Sequence, residues 1–282
     1  MKKKYFLLCC ALVIGIGISV YYIHGMNHEK KVENKKIEST AEEKMEQVEK
    51  ITTGAISTNA TRILLVGNSQ IYVNDMPATF WKLAQVMGDE AGIYILAKGA
   101  SHLKDFTNVK NELGSVFESV LKEEEWDYVI LQENTRYTSS NNIQKDSIPY
   151  VKTLDEKIKQ NGAKTGFFVT WAPIHGMVSG GSITIQELQK IISNNYYKMA
   201  QEVNGIVFPI GDIFVKCSEK YPEIELWESD QSHSSKEGAY LTACVLYVSI
   251  FGKNIENCEY IGDLDSTVAK KIRKLVVDEL LN

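Results

Sequence analysis

A serine that directly follows a short apolar run and a glycine is the residue whose setting could make it reactive. It stands at the end of Arg62-Ile63-Leu64-Leu65-Val66-Gly67-Asn68-Ser69. Ile63 to Val66 read as a strand, and Gly67 can take up the backbone geometry of a sharp turn. A serine hydroxyl is a weak nucleophile until a neighbouring base removes its proton. The segment Glu228-Ser229-Asp230-Gln231-Ser232-His233 offers such a base. With two residues between them on one loop, the Asp230 carboxylate can fold back onto His233 Nδ1, fix its tautomer and leave Nε2 facing a serine elsewhere. Ser69, His233 and Asp230 are therefore candidates for nucleophile, base and orienter in acyl transfer. Each also has a bland role: serines after strands cap helices, and loop aspartates cap turns. The combination is what points to chemistry.

Such a site needs a frame that brings distant segments to one edge. From Arg62 onward, strand and helix patterns alternate. Strands are expected at Ile63 to Val66, Ile93 to Ala97, Tyr128 to Leu131, Gly166 to Trp171 and Ile206 to Ile210. Between and after them, helical periodicity covers Met76 to Met87, Leu113 to Leu121, Ile148 to Lys159, Thr184 to Val203, Lys236 to Phe251 and Ser266 to Leu281. Asp75 is a plausible N-cap, with Pro77 in the first turn. Strands apolar on both faces imply a parallel sheet covered on both sides, a three-layer α/β/α sandwich. Ligands in such sheets bind at the carboxyl ends of the strands, where Ser69 falls.

Several segments, in order, resemble the SGNH/GDSL hydrolase superfamily. Gly67-Asn68-Ser69 stands where that family has Gly-Asp-Ser, and Gly99 fits its glycine after the second strand. Leu131-Gln132-Glu133-Asn134 fits its Leu-Gly-x-Asn block, and Asp230-Gln231-Ser232-His233 its Asp-x-x-His block. A subgroup opening Gly-Asn-Ser and continuing Asn-Asp-x-Pro is nearest, given Asn74-Asp75-Met76-Pro77. The resemblance implies a flavodoxin-like five-stranded sheet with Ser69 as nucleophile, His233 as base and Asp230 as orienter. It also implies an oxyanion hole from the backbone N–H groups of Ser69 and Gly99 with the Asn134 amide. The sequence departs from the family at Asn68, usually Asp, and at Gln132, usually Gly. Gln132 is a rival to Asn134 as oxyanion donor. Tyr72, Gln132, Trp171 and His175 are candidates for a substrate pocket, and Gly180-Gly181 marks a loop that could act as a lid.

Composition bounds the alternatives. The 282 residues carry a net charge of -5, and no Lys/Arg stripe appears beyond the N-terminal segment, which argues against nucleic acid as a partner. Tyr5 to Ile23 form an uncharged, mostly apolar run behind three lysines, long enough to cross a ~30 Å hydrocarbon core with the remainder outside the cytoplasm. Residues 1–24 are thus expected to be a membrane anchor, with signal cleavage and secretion as the alternative. Residues 25–60, mixed in charge and poor in aromatics, read as a flexible stalk, and 61–282 as the hydrolase-like domain. Cys217, Cys244 and Cys258 have no zinc-site spacing, and no cofactor or metal motif occurs; a Cys217–Cys258 bridge is one open option. The expectation is an extracytoplasmic serine esterase acting on an acyl ester, with O-acetylated carbohydrate as a candidate substrate. The alternatives are a surface glycan O-acyltransferase and a non-catalytic carbohydrate-binding or assembly protein.

Overall fold

The computed structural model describes residues 49–51, 57–174 and 183–282. Its sheet has six strands: β1 (Glu49–Lys50), β2 (Thr61–Gly67), β3 (Ala91–Ala97), β4 (Tyr128–Leu131), β5 (Lys164–Phe168) and β6 (Ile206–Phe208). Their order is β1-β3-β2-β4-β5-β6. The five strands from β2 onward are parallel, in the order 2-1-3-4-5 when counted among themselves, which is the flavodoxin-like order. The sixth strand is a correction to the five expected. Glu49 and Lys50, within the segment read as stalk, pair antiparallel with Ile95 and Tyr94 of β3.

The helices are α1 (Ser69–Tyr72), α2 (Met76–Val86), α3 (Glu112–Glu123), α4 (Thr135–Thr138) and α5 (Ile143–Asp146), followed by α6 (Ile148–Asn161), α7 (Ile185–Val203), α8 (Ile210–Lys220), α9 (Lys236–Phe251) and α10 (Ser266–Leu280). Along β2, Ile63 and Leu65 face one layer while Leu64 and Val66 face the other, all four without solvent exposure. Fully burying such a side chain is worth about 1.5–3 kcal/mol, so both faces of the strand drive burial and no polar alternation survives in the sequence. The first layer packs α2, α8, α9 and α10 on the sheet; the second packs α3, α6 and α7. Helix α9 is buried around nearly its whole circumference, from Gly238 to Val248, which makes it a central helix and not a surface one.

Two expected boundaries move. β5 stops at Phe168, and β6 stops at Phe208 because Pro209 has no N–H for the ladder and precedes α8. Asp75 does precede α2 but has a left-handed backbone (φ 51°) and makes no side-chain cap bond. Cys217, Cys244 and Cys258 are free, buried thiols. The expected membrane helix of residues 1–24 lies outside the described residues, as do His175 and the Gly180-Gly181 loop. No helix among the described residues is long and apolar enough to cross a membrane.

Candidate active site

Ser69 opens α1 at the carboxyl end of β2, on a turn held by three side chains. Asn68 caps the helix, its Oδ1 accepting from Gln70 N at 3.2 Å, while its Nδ2 donates to Ser101 O at 3.0 Å. The Asn68 N–H donates to Gln132 Oε1 at 2.8 Å. Ser101 Oγ in turn donates to Gly67 O at 2.7 Å, so the loop after β3 is fastened to the turn from both sides. Gly67 is required by contact: a Cβ there would lie 2.4 Å from Gln132 Oε1 and 2.9 Å from Gln132 O.

His233 reaches this turn from the other end of the chain. Its Nε2 lies 2.8 Å from Ser69 Oγ, and its Nδ1 lies 2.5 Å from Asp230 Oδ2. Asp230 Oδ1 accepts the N–H groups of Ser232 and His233, both at 2.9 Å, which curls the loop so that carboxylate and imidazole face each other. The bond to His233 chiefly, together with these N–H groups, holds the Asp230 carboxyl down at about 2. It is therefore ionised wherever a histidine can change its charge.

The loop itself is built by its neighbours. Glu228 N donates to His233 O at 2.9 Å, and Trp227 bridges to Ser234, closing the loop at its base. Asn74, left-handed at φ 55°, donates through Nδ2 to both Glu228 Oε1 and Ser234 O at 2.7 Å. Trp171 Nε1 donates to Ser232 O at 2.8 Å, and the indole stacks on Phe214 at 4.4 Å.

The remaining expected residues divide. The Ser69 and Gly99 N–H groups donate to no other described residue. Asn134 Nδ2 gives one hydrogen to Ala100 O at 3.1 Å and Oδ1 accepts from Arg136 N at 3.0 Å, which leaves one amide hydrogen. Ala100 is left-handed (φ 62°), a conformation this contact and the Ser101 bonds hold in place. Tyr72, 37% exposed, stands at the rim, its hydroxyl 3.6 Å from where a Gly99 Cβ would be. Gln132 and Trp171 are corrections: the first is fully buried and the second 1% exposed, so neither offers surface for a pocket. Gln132 props the nucleophile turn, gives one amide hydrogen to Glu133 O at 2.7 Å and has no solvent exposure, so its burial, not a lack of hydrogens, removes it as oxyanion donor. Asn74 and Ser101 are supporting residues that the sequence reading passed over. The only signal for Asn74 was its place in the Asn74-Asp75-Met76-Pro77 run.

Several solved structures are similar to this chain, among them a hydrolase and an esterase. A protein assigned to the SGNH hydrolases from Slackia heliotrinireducens is 25% identical, covering 68% of this chain and 100% of its own, with a TM-score of 0.57. A DUF4886 family protein from Bacteroides uniformis is 16% identical over 79% of this chain and 95% of its own, at 0.63. The psychrotrophic esterase EstA from Pseudoalteromonas sp. is 13% identical over 68% of this chain and 97% of its own, at 0.51. No protein-family model and no curated protein matches the chain. The fold is that of the SGNH/GDSL hydrolases, and the solved structures that share it include hydrolases and esterases.

Proposed function

We propose that this protein is a serine esterase of SGNH type, with O-acetylated carbohydrate as its substrate class, working through an acyl-enzyme on Ser69. The observation that carries the reading is the unbroken run of short polar contacts from Ser69 Oγ to His233 Nε2 and from His233 Nδ1 to Asp230. His233 takes the hydroxyl proton as Ser69 Oγ attacks the ester carbonyl carbon, and Asp230 steadies the resulting imidazolium. Charge then develops on the carbonyl oxygen. The Ser69 and Gly99 N–H groups and the spare Asn134 hydrogen receive it, each such donor contributing about 2.7–4 kcal/mol. Collapse of the tetrahedral species expels the alcohol with the proton from His233. Water, deprotonated by the same imidazole, then releases the acid. A sugar hydroxyl taking the place of water would make the same site an O-acyltransferase.

The non-catalytic reading drew on Asn68 and Gln132 as departures from the family. Each has a bonding reason in this turn, so they no longer favour it. The reading extends to location: the apolar run Tyr5 to Ile23 behind Lys2-Lys3-Lys4 supports a domain held outside the cytoplasm by one N-terminal helix.

Two measurements test these proposals. The purified full chain should hydrolyse p-nitrophenyl acetate. Ser69→Ala should abolish turnover and labelling by a fluorophosphonate, and equal rates for the two proteins would sink the enzymatic reading. For location, membrane association that survives carbonate should be lost on deleting residues 1–24; a soluble mature protein outside the cell would instead mean cleavage.

A further inference from the structure

One buried acid has no part in the chemistry just described. Glu133 has no solvent exposure and lies between Gln132, which props the nucleophile turn, and Asn134, which faces the site. Its Oε1 accepts two backbone N–H groups, from Asn134 at 2.7 Å and from Leu103 at 3.2 Å. Its Oε2 accepts the Ser147 hydroxyl at 2.8 Å, just ahead of α6. The Glu133 main chain is held too, with both its N–H and its carbonyl 3.0 Å from the Tyr196 hydroxyl of α7.

These bonds join the two loops that carry the oxyanion donors. The loop after β3 runs from Gly99 through Ala100 to Leu103, and the loop after β4 carries Asn134. Across the top they meet once, through Asn134 Nδ2 and Ala100 O. Beneath, a single carboxylate oxygen receives an N–H from each, so Oε1 sets the separation of the loops. A separation error of about 1 Å at such a site can cost on the order of a hundredfold in rate.

We propose that Glu133 is a positioning residue of the esterase reaction: its carboxyl fixes the loop of Gly99 against the loop of Asn134 and so sets the spacing of the oxyanion hole. The role rests on the esterase reading above. It requires an acceptor oxygen at the Oε1 position and does not require charge. A glutamine can supply that oxygen while turning its amide toward Ser147 Oγ, which can accept in place of donating. A methionine fills similar space with no acceptor and leaves two buried N–H groups unpaired.

The test compares wild type, Glu133→Met and Glu133→Gln for kcat and KM on p-nitrophenyl acetate, and for binding of phenylboronic acid, whose tetrahedral adduct on Ser69 places an anionic oxygen in the hole. Glu133→Met should lower kcat by about ten- to a hundredfold with KM little changed. Boronate affinity should fall in step, and Glu133→Gln should recover most of both losses. Equal kcat for wild type and Glu133→Met overturns the role. So does a Glu133→Gln no better than Glu133→Met, or boronate binding left intact while kcat drops. If Glu133→Met does not fold, Ser147→Ala frees Oε2 and should lower kcat a fewfold at constant KM; no change there overturns the role equally. A wild type that neither turns over ester nor labels at Ser69 overturns the esterase reading itself, an outcome distinct from all of these.

Discussion

Asn68 is where this chain differs from the opening block of the family it resembles, and its bonds explain the difference. An aspartate cap would serve Gln70 N equally well, but only an amide can also donate to Ser101 O. Asn68→Asp would turn a carboxylate oxygen toward that carbonyl at a site only 4% exposed. The expected cost is about 1–3 kcal/mol, read from urea denaturation, with kcat reduced because the same loop carries Gly99. Asp230→Asn should act on rate alone. The group stays near the imidazole but no longer imposes the tautomer, so kcat should fall by roughly 10³- to 10⁴-fold with the melting temperature little changed. At this scale the sequence was legible where partners are local: Asp230 and His233 share one loop, and their spacing shows it. Gln132 and Trp171 were misread because a polar or aromatic residue at a strand end looks the same whether it lines a pocket or braces a loop. Only the neighbours in space, Asn68 and Ser232, distinguish the two.

The loop that bears His233 owes its position to other elements. Asn74, between α1 and α2, holds Glu228 and Ser234, while the segment after β5 holds Ser232 through Trp171. Asn74→Ala loses two bonds and puts a Cβ without a polar partner at φ 55°. Asn74→Gly loses the same bonds but tolerates the backbone. Both should therefore lower kcat at constant labelling stoichiometry, with glycine the more stable of the two by about 1 kcal/mol. If both variants keep wild-type kcat, the Asn74 bonds do not position His233. The alternation of elements, the long helices and the buried strands were readable from periodicity. Helix α8 was not, because Ile206-Val207-Phe208-Pro209-Ile210 reads as one apolar strand run, and its amphipathic face appears only when Ile210, Ile213, Phe214 and Cys217 are taken together. Strand β1 was equally hidden, since two charged residues carry no strand pattern and pair only because β3 is there.

Across the whole molecule, Glu133 ties the site to stability through pH. Burial first of all, against the pull of Ser147 and the two N–H groups, raises its carboxyl to about 7 from an ordinary 4.5. A folded-state value above the unfolded one means the native state holds its proton more tightly. The contribution is fully present below pH ~4.5 and is lost as pH rises through about 7, a fall on the order of 3 kcal/mol. Asp230 has the opposite sign, its smaller, solvent-screened contribution vanishing only as pH drops below about 4 toward 2. Urea midpoints from pH 4.5 to 8 should decline in wild type and flatten in Glu133→Gln; parallel curves would count against this ionisation. At the far edge of the sheet, β1 has a mechanical consequence. Tension applied to the chain ahead of Glu49 is borne first by the short β1–β3 pairing and the Ile51 N to Ile93 O bond. When that pairing peels, the load passes next to the Ser57 Oγ and Thr61 N bonds to Glu90, at the start of β2. Strand β1 is thus a mechanical fuse, yielding before the strand that ends in Ser69 is pulled.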